Sequence, residues 1–422
     1  MKVFKFGGAS VKDAEAVKNV ADIIKRYPAD KLVVVISAMG KTTNALEEVA
    51  KAFFYKNANV KEKLQVVIDY HNGILNGLFN DKNHPVFEDV NGLISALDWA
   101  IEDEPIKDFD FEYDQIVSVG ELLSTKIVSH YLSSVGIACK WVDARDIIQT
   151  DNTYRDARVD WPLTETIANE SIGSLLNTNN VVLTQGFIGC TSENFTTTLG
   201  REGSDYTAAI LAYCLNAESV TIWKDVPGVL NADPKFFPDA QKFEKLSYYD
   251  SIELTYYGAT VIHPKTIKPL ENKKIPLYVK SFIAPEKEGT TISEETMQPH
   301  LSSYIFKVNQ VLVSILPKDF SFIAEEGLSE IFRIFSIFNI KINLMQNSAI
   351  SFSVCIDDTA RLEDLMSELQ KSYKVLHNKG LQLITVRNYT KEGFDKVLTG
   401  KKTLLEQRTR NTAQFVVQPE NV

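Results

Sequence analysis

Cysteine is scarce in this 422-residue chain: four residues, Cys139, Cys190, Cys214 and Cys355, scattered without a CxxC pair. That spacing signals neither a zinc ribbon nor a disulfide framework, and buried thiols are the expectation. The six histidines include no HExxH, and none lies near a cysteine at zinc-ligand spacing, so no protein-built metal site is expected. Long apolar runs are missing too. The longest near the N-terminus, Leu32 to Ile36, is far short of the ~20 residues of a membrane helix, and the opening MKVFKFGG lacks a signal-peptide core. A cytoplasmic protein with no membrane partner is the expectation. Excess positive charge is also absent. Lys+Arg 45 against Asp+Glu 55 gives −10, which disfavours broad attraction to nucleic acid or anionic lipid. What is present is a globular composition, 44% hydrophobic and 24% charged, in a chain long enough to bury more than one core.

From Met1 to about Ser293, β-branched runs alternate with amphipathic stretches, the pattern of βα units around a mainly parallel sheet. The expected strands are VFKF at 3–6, LVVVIS at 32–37, QIVSV at 115–119, VVLTQG at 181–186 and VTIW at 220–223. Between Asn57 and Asp114 the apolar residues fall at helical spacing, a helical excursion off the sheet. The polar, breaker-rich run over 284–302 reads as a connector. These signals divide the chain into an N-terminal α/β region 1–293, a linker 294–303 and a C-terminal region 304–422. The last region follows the order βαββαβ, a ferredoxin-like split βαβ. About thirty residues then remain, enough for one or two further strands, so one complete unit and a partial second are expected. The fold class is α/β, an αβα sandwich with a mainly parallel sheet plus a ferredoxin-like domain.

Five junctions in the first region carry polar or glycine-rich clusters. In Lys5-Phe6-Gly7-Gly8-Ala9-Ser10, two glycines admit an anion to the backbone, the following helix N-terminus offers N–H groups, and Lys5 adds charge. A plain strand-to-helix turn would read the same way. Ser10 with Asp13 fits a capping box. Gly40-Lys41-Thr42 imitates the end of a Walker loop, but Val35 stands where that motif needs glycine, which excludes a P-loop NTPase. Ser37 and Thr43-Asn44 face the same rim or serve as caps. Glu121, beside Gly120, is either a helix-dipole partner or the counter-charge for an ammonium. The most specific run is Thr198-Leu199-Gly200-Arg201-Glu202-Gly203-Ser204-Asp205-Tyr206-Thr207, where Arg201 offers a bidentate fork for a small carboxylate and Ser204-Asp205 falls at an expected N-cap. In IWKDVPGVLNADPK, Lys224 and Lys235 suit nucleotide phosphates, although a solvated loop looks similar. Parallel sheets bind ligands outside the carboxyl ends of their strands, so the clusters weigh more together than singly.

KFGGAS, SAMGKTTNAL, SVGELLS, LGREGSDYTAA, WKDVPGVLNADP, YYGATVIHP and EGTTI follow one another across nearly all of residues 1–293. In these runs the chain resembles the aspartate kinases of the amino acid kinase family, and its C-terminal unit resembles their ACT-type regulatory domain. The resemblance implies ATP-dependent phosphorylation of the L-aspartate side-chain carboxylate to 4-phospho-L-aspartate, the entry to lysine, threonine, methionine and isoleucine synthesis. It implies Mg²⁺ carried mainly by ATP, an amino-acid effector such as lysine or threonine, and a homodimer formed through the C-terminal domain. By the same resemblance Lys5 stabilises the transferring phosphoryl group, Gly7 and Gly8 admit it, and Asp205 organises the lysines. Arg201 holds the aspartate α-carboxylate, Glu121 its ammonium, and Ser37 and Thr43 its orientation. Ser204 contacts nucleotide or substrate, while Lys224, Asp225, Leu230 and Lys235 belong to the ATP site. Effector contacts fall at Ala324, Gly327, Leu328, Asn343, Asn347 and Ser348.

The departures from the family pattern are local. Lys224 stands where threonine is frequent and Thr260 where lysine is frequent, as if one positive charge had moved between loops. Leu230 replaces a common tyrosine and Lys235 a common arginine; Glu202 falls where a small residue is usual. Asn343 stands where lysine-sensitive relatives can carry an acidic residue. The rival readings are a kinase of another acid such as glutamate, a silent amino-acid sensor, and a nicotinamide-dependent dehydrogenase, the last weakened by the missing GxGxxG.

Overall fold

The computed structural model describes residues 1–259, 262–295, 301–319, 322–323 and 325–419, with the side chains of 391 and 392 left aside. Two compact units emerge. The first includes residues 1–229, 244–252 and 262–295, and the second includes 230–243, 253–259 and 301–419. Residues 230–243 and 253–259, which the sequence pattern groups with the N-terminal region, therefore gather with the second unit.

In the first unit the strands are β1 (Lys2–Phe6), β2 (Leu32–Ile36), β3 (Cys139–Trp141), β4 (Val181–Gln185), β5 (Ile188–Cys190), β6 (Thr196–Thr198), β7 (Ser219–Lys224), β8 (Lys245–Ser247), β9 (Leu277–Ser281) and β10 (Thr290–Ser293). The helices are α1 (Ala14–Lys25), α2 (Thr42–Phe54), α3 (Val60–Leu78), α4 (Pro85–Ala100), α5 (Phe109–Ser134), α6 (Trp161–Ala168), α7 (Gly203–Cys214), α8 (Tyr248–Tyr256), whose residues from 253 on are assigned to the second unit, and α9 (Pro264–Asn272). Eight strands form one sheet in the order β3-β4-β2-β1-β7-β9-β10-β8, parallel except for β9 against β10. The central strands LVVVI and VVLTQ are buried at every position, as expected of strands covered on both faces. On one face Phe4, Phe6 and Trp223 pack with α1 and α5 residues, and the Phe6 and Trp223 rings stack at 5.9 Å.

Three local expectations are corrected. QIVSV at 115–119 is not a strand but lies inside α5, a 26-residue helix capped by Asp108, whose carboxylate accepts from the Phe111 N–H at 3.0 Å. Its run of buried residues, from Phe111 through Ile116, Val117, Leu122 and Leu123, explains the misreading: a helix buried all round lacks amphipathic alternation and its packing overrides β propensity. The polar run over 284–302 is not all connector, because Thr290–Ser293 pair with β9 and β8. The first helix is capped by Asp13, which accepts from Ala16 N–H at 2.8 Å, while Ser10 sits in a preceding 3-10 turn.

The second unit contains β11 (Ser303–Pro317), α10 (Glu325–Ile337), β12 (Ile342–Asn347), β13 (Phe352–Asp357), α11 (Leu362–Ser372), β14 (Tyr373–Arg387), α12 (Lys391–Leu398), β15 (Lys402–Arg408) and β16 (Thr412–Gln418). They form one antiparallel sheet, β12-β13-β11-β14-β16-β15. β11 and β14 are each 15 residues long, and their pairing shifts register between Lys307 and Leu312. Beyond that shift Val311, Val313 and Ile315 pack with Ile331, Phe335 and Leu365 of α10 and α11, closing the βαββαβ order. Before it Tyr304, Ile384 and Val386 pack with Val397 and Phe415. The last two strands thus do not stand alone: they extend a half-sheet already begun by the ends of β11 and β14.

Candidate active site

Strands β4, β2, β1 and β7 are parallel neighbours, so Gln185, Ile36, Phe6 and Lys224 end at one rim of the sheet. Lys5, on β1 between Val35 of β2 and Ile222 of β7, reaches that rim. Helix α7 presents its first turn there, and Asp205 in that turn meets the Lys5 ammonium at 2.7 Å and the Lys224 ammonium at 3.8 Å. Burial alone pushes the Asp205 carboxyl upward, but the charges of Lys5 and Lys224 outweigh it and hold the group below the usual carboxylate range. Three residues singled out by sequence, from three separate junctions, therefore form one ion cluster.

Close approach of backbones makes the rim compact. A Cβ on Gly8 would lie 2.7 Å from the Gly40 carbonyl oxygen and 2.8 Å from that of Ala38, so the first two βα turns touch only because residue 8 is glycine. The Gly40 N–H donates to the Gly8 carbonyl at 3.0 Å. Gly186, directly after β4, plays the same part toward α7: a Cβ there would meet the Ser204 Cβ at 2.4 Å. In the sequence Gly186 stands only as the end of the VVLTQG run; the signal that marks it is a glycine closing a fully buried strand. Ser204 and Asp205 are not N-caps as expected. Glu202 occupies that position at φ 54° without a side-chain cap, and both residues lie inside the first turn.

Glu121 is placed differently from expectation and is more telling. It stands in the middle of α5, 2% exposed, with Oε2 lacking any hydrogen-bond partner. Burial drives its carboxyl up to about 8, against the opposing pull of the Ala38 backbone N–H and the Lys5 charge. Helix α5 fits tightly here, since a Cβ on Gly120 would come within 2.9 Å of Thr42 Cγ2. One turn further the Ser124 hydroxyl donates to the Ser37 carbonyl at 2.7 Å, tying α5 to the end of β2. Ser37, directly after β2, and Thr43, in the first turn of α2, are half-buried.

Arg201 is exposed in the turn between β6 and α7, flanked by Gly200 at φ 78° and Glu202. The Glu202 Oε2 accepts from the His263 N–H at 3.0 Å, anchoring this turn to the start of α9. Asp225 is exposed beyond β7. Leu230 and Lys235 belong to the second unit, where Leu230 bridges Lys242 and the Lys235 N–H donates to Asp233 Oδ1 at 2.9 Å. Thr260 and Ala324 lie outside the described residues.

Of the effector residues expected in the second unit, Asn343 joins a polar network. It accepts from Lys307 Nζ at 2.9 Å and donates to Gln310 Oε1 at 2.9 Å and Asp357 Oδ1 at 3.1 Å. Gly327 offers its carbonyl to the Tyr373 hydroxyl at 3.3 Å, and Leu328 packs against the core under α10 and α11. Asn347 and Ser348 are exposed at the end of β12. Among the described residues no three His, Cys, Asp or Glu side chains cluster to hold a metal ion, and no helix is long and apolar enough to cross a membrane.

This arrangement combines lysine ammoniums beside a glycine-lined turn with a buried carboxylate lacking a cationic partner of its own. It suits a phosphorylated ligand meeting a zwitterion. Residues 1–281 match the model of the amino acid kinase family. Lysine-sensitive aspartokinase 3 of Escherichia coli is 31% identical over 396 residues, spanning 91% of this chain and 86% of the relative. Two crystal structures of E. coli aspartokinase III align over 99% of this chain and 96% of theirs. The complex with aspartate and ADP gives a TM-score of 0.84 at 29% identity, and the complex with lysine and aspartate 0.83 at 30%.

Proposed function

The chain belongs to the amino acid kinase family, and from that premise we propose that it is an aspartokinase, transferring the γ-phosphoryl group of ATP to the side-chain carboxylate of L-aspartate under feedback by lysine. The observation that carries the choice of substrate is Glu121, a buried carboxylate with an unpartnered oxygen that an α-ammonium group would satisfy. Arg201, exposed on the neighbouring turn, takes the α-carboxylate, and Ser37 and Thr43 orient the side chain.

The acceptor is already an anion at pH 7, so no enzyme base is required and catalysis consists of alignment and charge neutralisation. Lys5, on a buried strand and fixed by Asp205, lies where negative charge is transferred; Lys224 adds a second ammonium. Gly7 and Gly8 let the phosphates approach the backbone, and Ser204 lines the first turn of α7. Mg²⁺ travels on the ATP oxygens. Asp205 is held between two ammonium groups, a donor set suited to phosphate rather than to a metal cage. The working location is the cytoplasm, and the assembly is a dimer formed through the second unit, whose edge strand β12 leaves Met345 about half exposed.

ADP release by the purified protein with Mg-ATP tests the reading. L-Aspartate is expected to drive turnover, L-glutamate is not, and added L-lysine is expected to suppress it where L-threonine does not. ATP binding without aspartate-dependent turnover would instead mark a sensor.

A further inference from the structure

Glu121 and Arg201, proposed to grip the two ends of aspartate, come from segments about eighty residues apart, so something must set their separation. Asp114 lies on α5 seven residues before Glu121, ~10 Å along the helix axis, and is fully buried. Its carboxylate accepts three hydrogen bonds: Oδ1 from the Thr198 hydroxyl at 2.7 Å, and Oδ2 from the Thr198 N–H at 2.8 Å and the Arg155 N–H at 3.0 Å. Thr198 is the last residue of β6, three positions before Arg201. Gln115 repeats the attachment one residue on, donating to the Thr196 carbonyl at 2.8 Å and accepting from the Thr196 N–H at 3.2 Å.

The Arg155 contact extends the clasp to the other side of the turn. Arg155 is held in the left-handed region at φ 65°, and the Ala157 N–H donates to the Thr198 carbonyl at 3.0 Å. A Cβ on Gly200 would fall 2.5 Å from Asp156 Oδ1 and 3.1 Å from the Arg155 carbonyl oxygen. The 155–157 loop thus backs directly onto the turn that presents Arg201. A buried carboxylate with three donors is a rigid anchor, because losing it leaves those donors unpaired.

We infer that Asp114, supported by Gln115, is a positioning residue for substrate recognition, fixing the Arg201 turn to the helix that carries Glu121. The inference rests on the proposed roles of those two residues. Asp114→Asn can keep its amide oxygen on the two backbone donors only by turning its N–H₂ to the Thr198 hydroxyl, which must then accept, and it removes the charge that strengthens all three bonds, so KM for aspartate is expected to rise about fivefold or more. The KM for ATP is expected to stay within about twofold, and kcat to fall less than KM rises. Thr198→Val removes only the hydroxyl donor and is expected to raise KM for aspartate about threefold, while Thr198→Ser restores it.

Thermal unfolding and ADP affinity establish that each variant is folded, and Thr198→Val serves should Asp114→Asn fail to fold. Unchanged KM for aspartate in the folded variants overturns the inference, as does an equal loss across kcat and both KM values. Glu121→Gln and Arg201→Ala are assayed alongside. If these two leave aspartate KM unchanged, the reading of the site itself fails; if they raise it while Asp114→Asn and Thr198→Val do not, the positioning role alone is lost.

Discussion

Aspartate binding should be coupled to proton release through Glu121. Without ligand its carboxyl is pushed up to about 8 because it is buried, so at pH 7 most molecules carry it protonated. An incoming ammonium requires the ionised form, and only the ionised fraction binds. That fraction is roughly 0.09 at pH 7 and roughly 0.9 at pH 9, so aspartate affinity should rise about tenfold over this interval and level off above it. Binding at pH 7 should release about 0.9 of a proton per aspartate. Isothermal titration in two buffers of different ionisation enthalpy reads both quantities. Glu121→Gln should weaken binding and abolish both the slope and the release. A pH-independent affinity with no proton release, or an unaltered slope in Glu121→Gln, would refute the assignment of Glu121 as the ammonium partner. The same group makes a stability prediction of opposite sense. Its carboxyl ionises near the ordinary 4.5 when unfolded but only near 8 when folded, so the native state binds more protons between these values and stability falls as pH rises through that window. Glu121→Gln should flatten that fall.

Three further perturbations probe the rim. Asp205→Asn leaves the Lys5 ammonium beside a neutral group in a buried setting; about 3–5 kcal/mol of stability should be lost in denaturant unfolding, with turnover falling at least about a hundredfold. Retention of near-normal kcat would remove Asp205 from the lysine-organising role. Gly186→Ala forces a methyl to within 2.4 Å of Ser204 Cβ, and should cost about 1–3 kcal/mol in thermal unfolding as α7 is pushed off the rim, with reduced ATP turnover; a silent substitution would mean the first turn of α7 yields freely. Lys224→Thr should weaken ATP binding about tenfold by removing one ammonium from the phosphate region, and unchanged nucleotide affinity and turnover would show that its charge is dispensable.

Much of this was legible in the chain. Strands β1, β2, β4 and β7 announced themselves because parallel strands buried on both faces are short continuous apolar runs, and the polar clusters after them marked the rim. Lys5, Arg201, Ser204, Asp205 and Glu121 stand out as candidates from local context and from the ordered motifs, and Lys5 and Asp205 meet in the fold. Folding decided what one-dimensional periodicity does not contain. It turned QIVSV into helix because α5 is packed on nearly all sides. It joined Lys224 to Lys5 through Asp205 by placing β1 beside β7. It made Gly186 matter through the approach of α7, and placed Asp114, one of four acidic residues alternating with aromatics over 108–114, under the turn that carries Arg201. Sequence records residue type and local spacing, which suffice for elements and for the kind of chemistry. Which groups meet, and which carboxylate is deprived of water, depends on contacts between segments from about twenty to about two hundred residues apart, and only the tertiary structure supplies those.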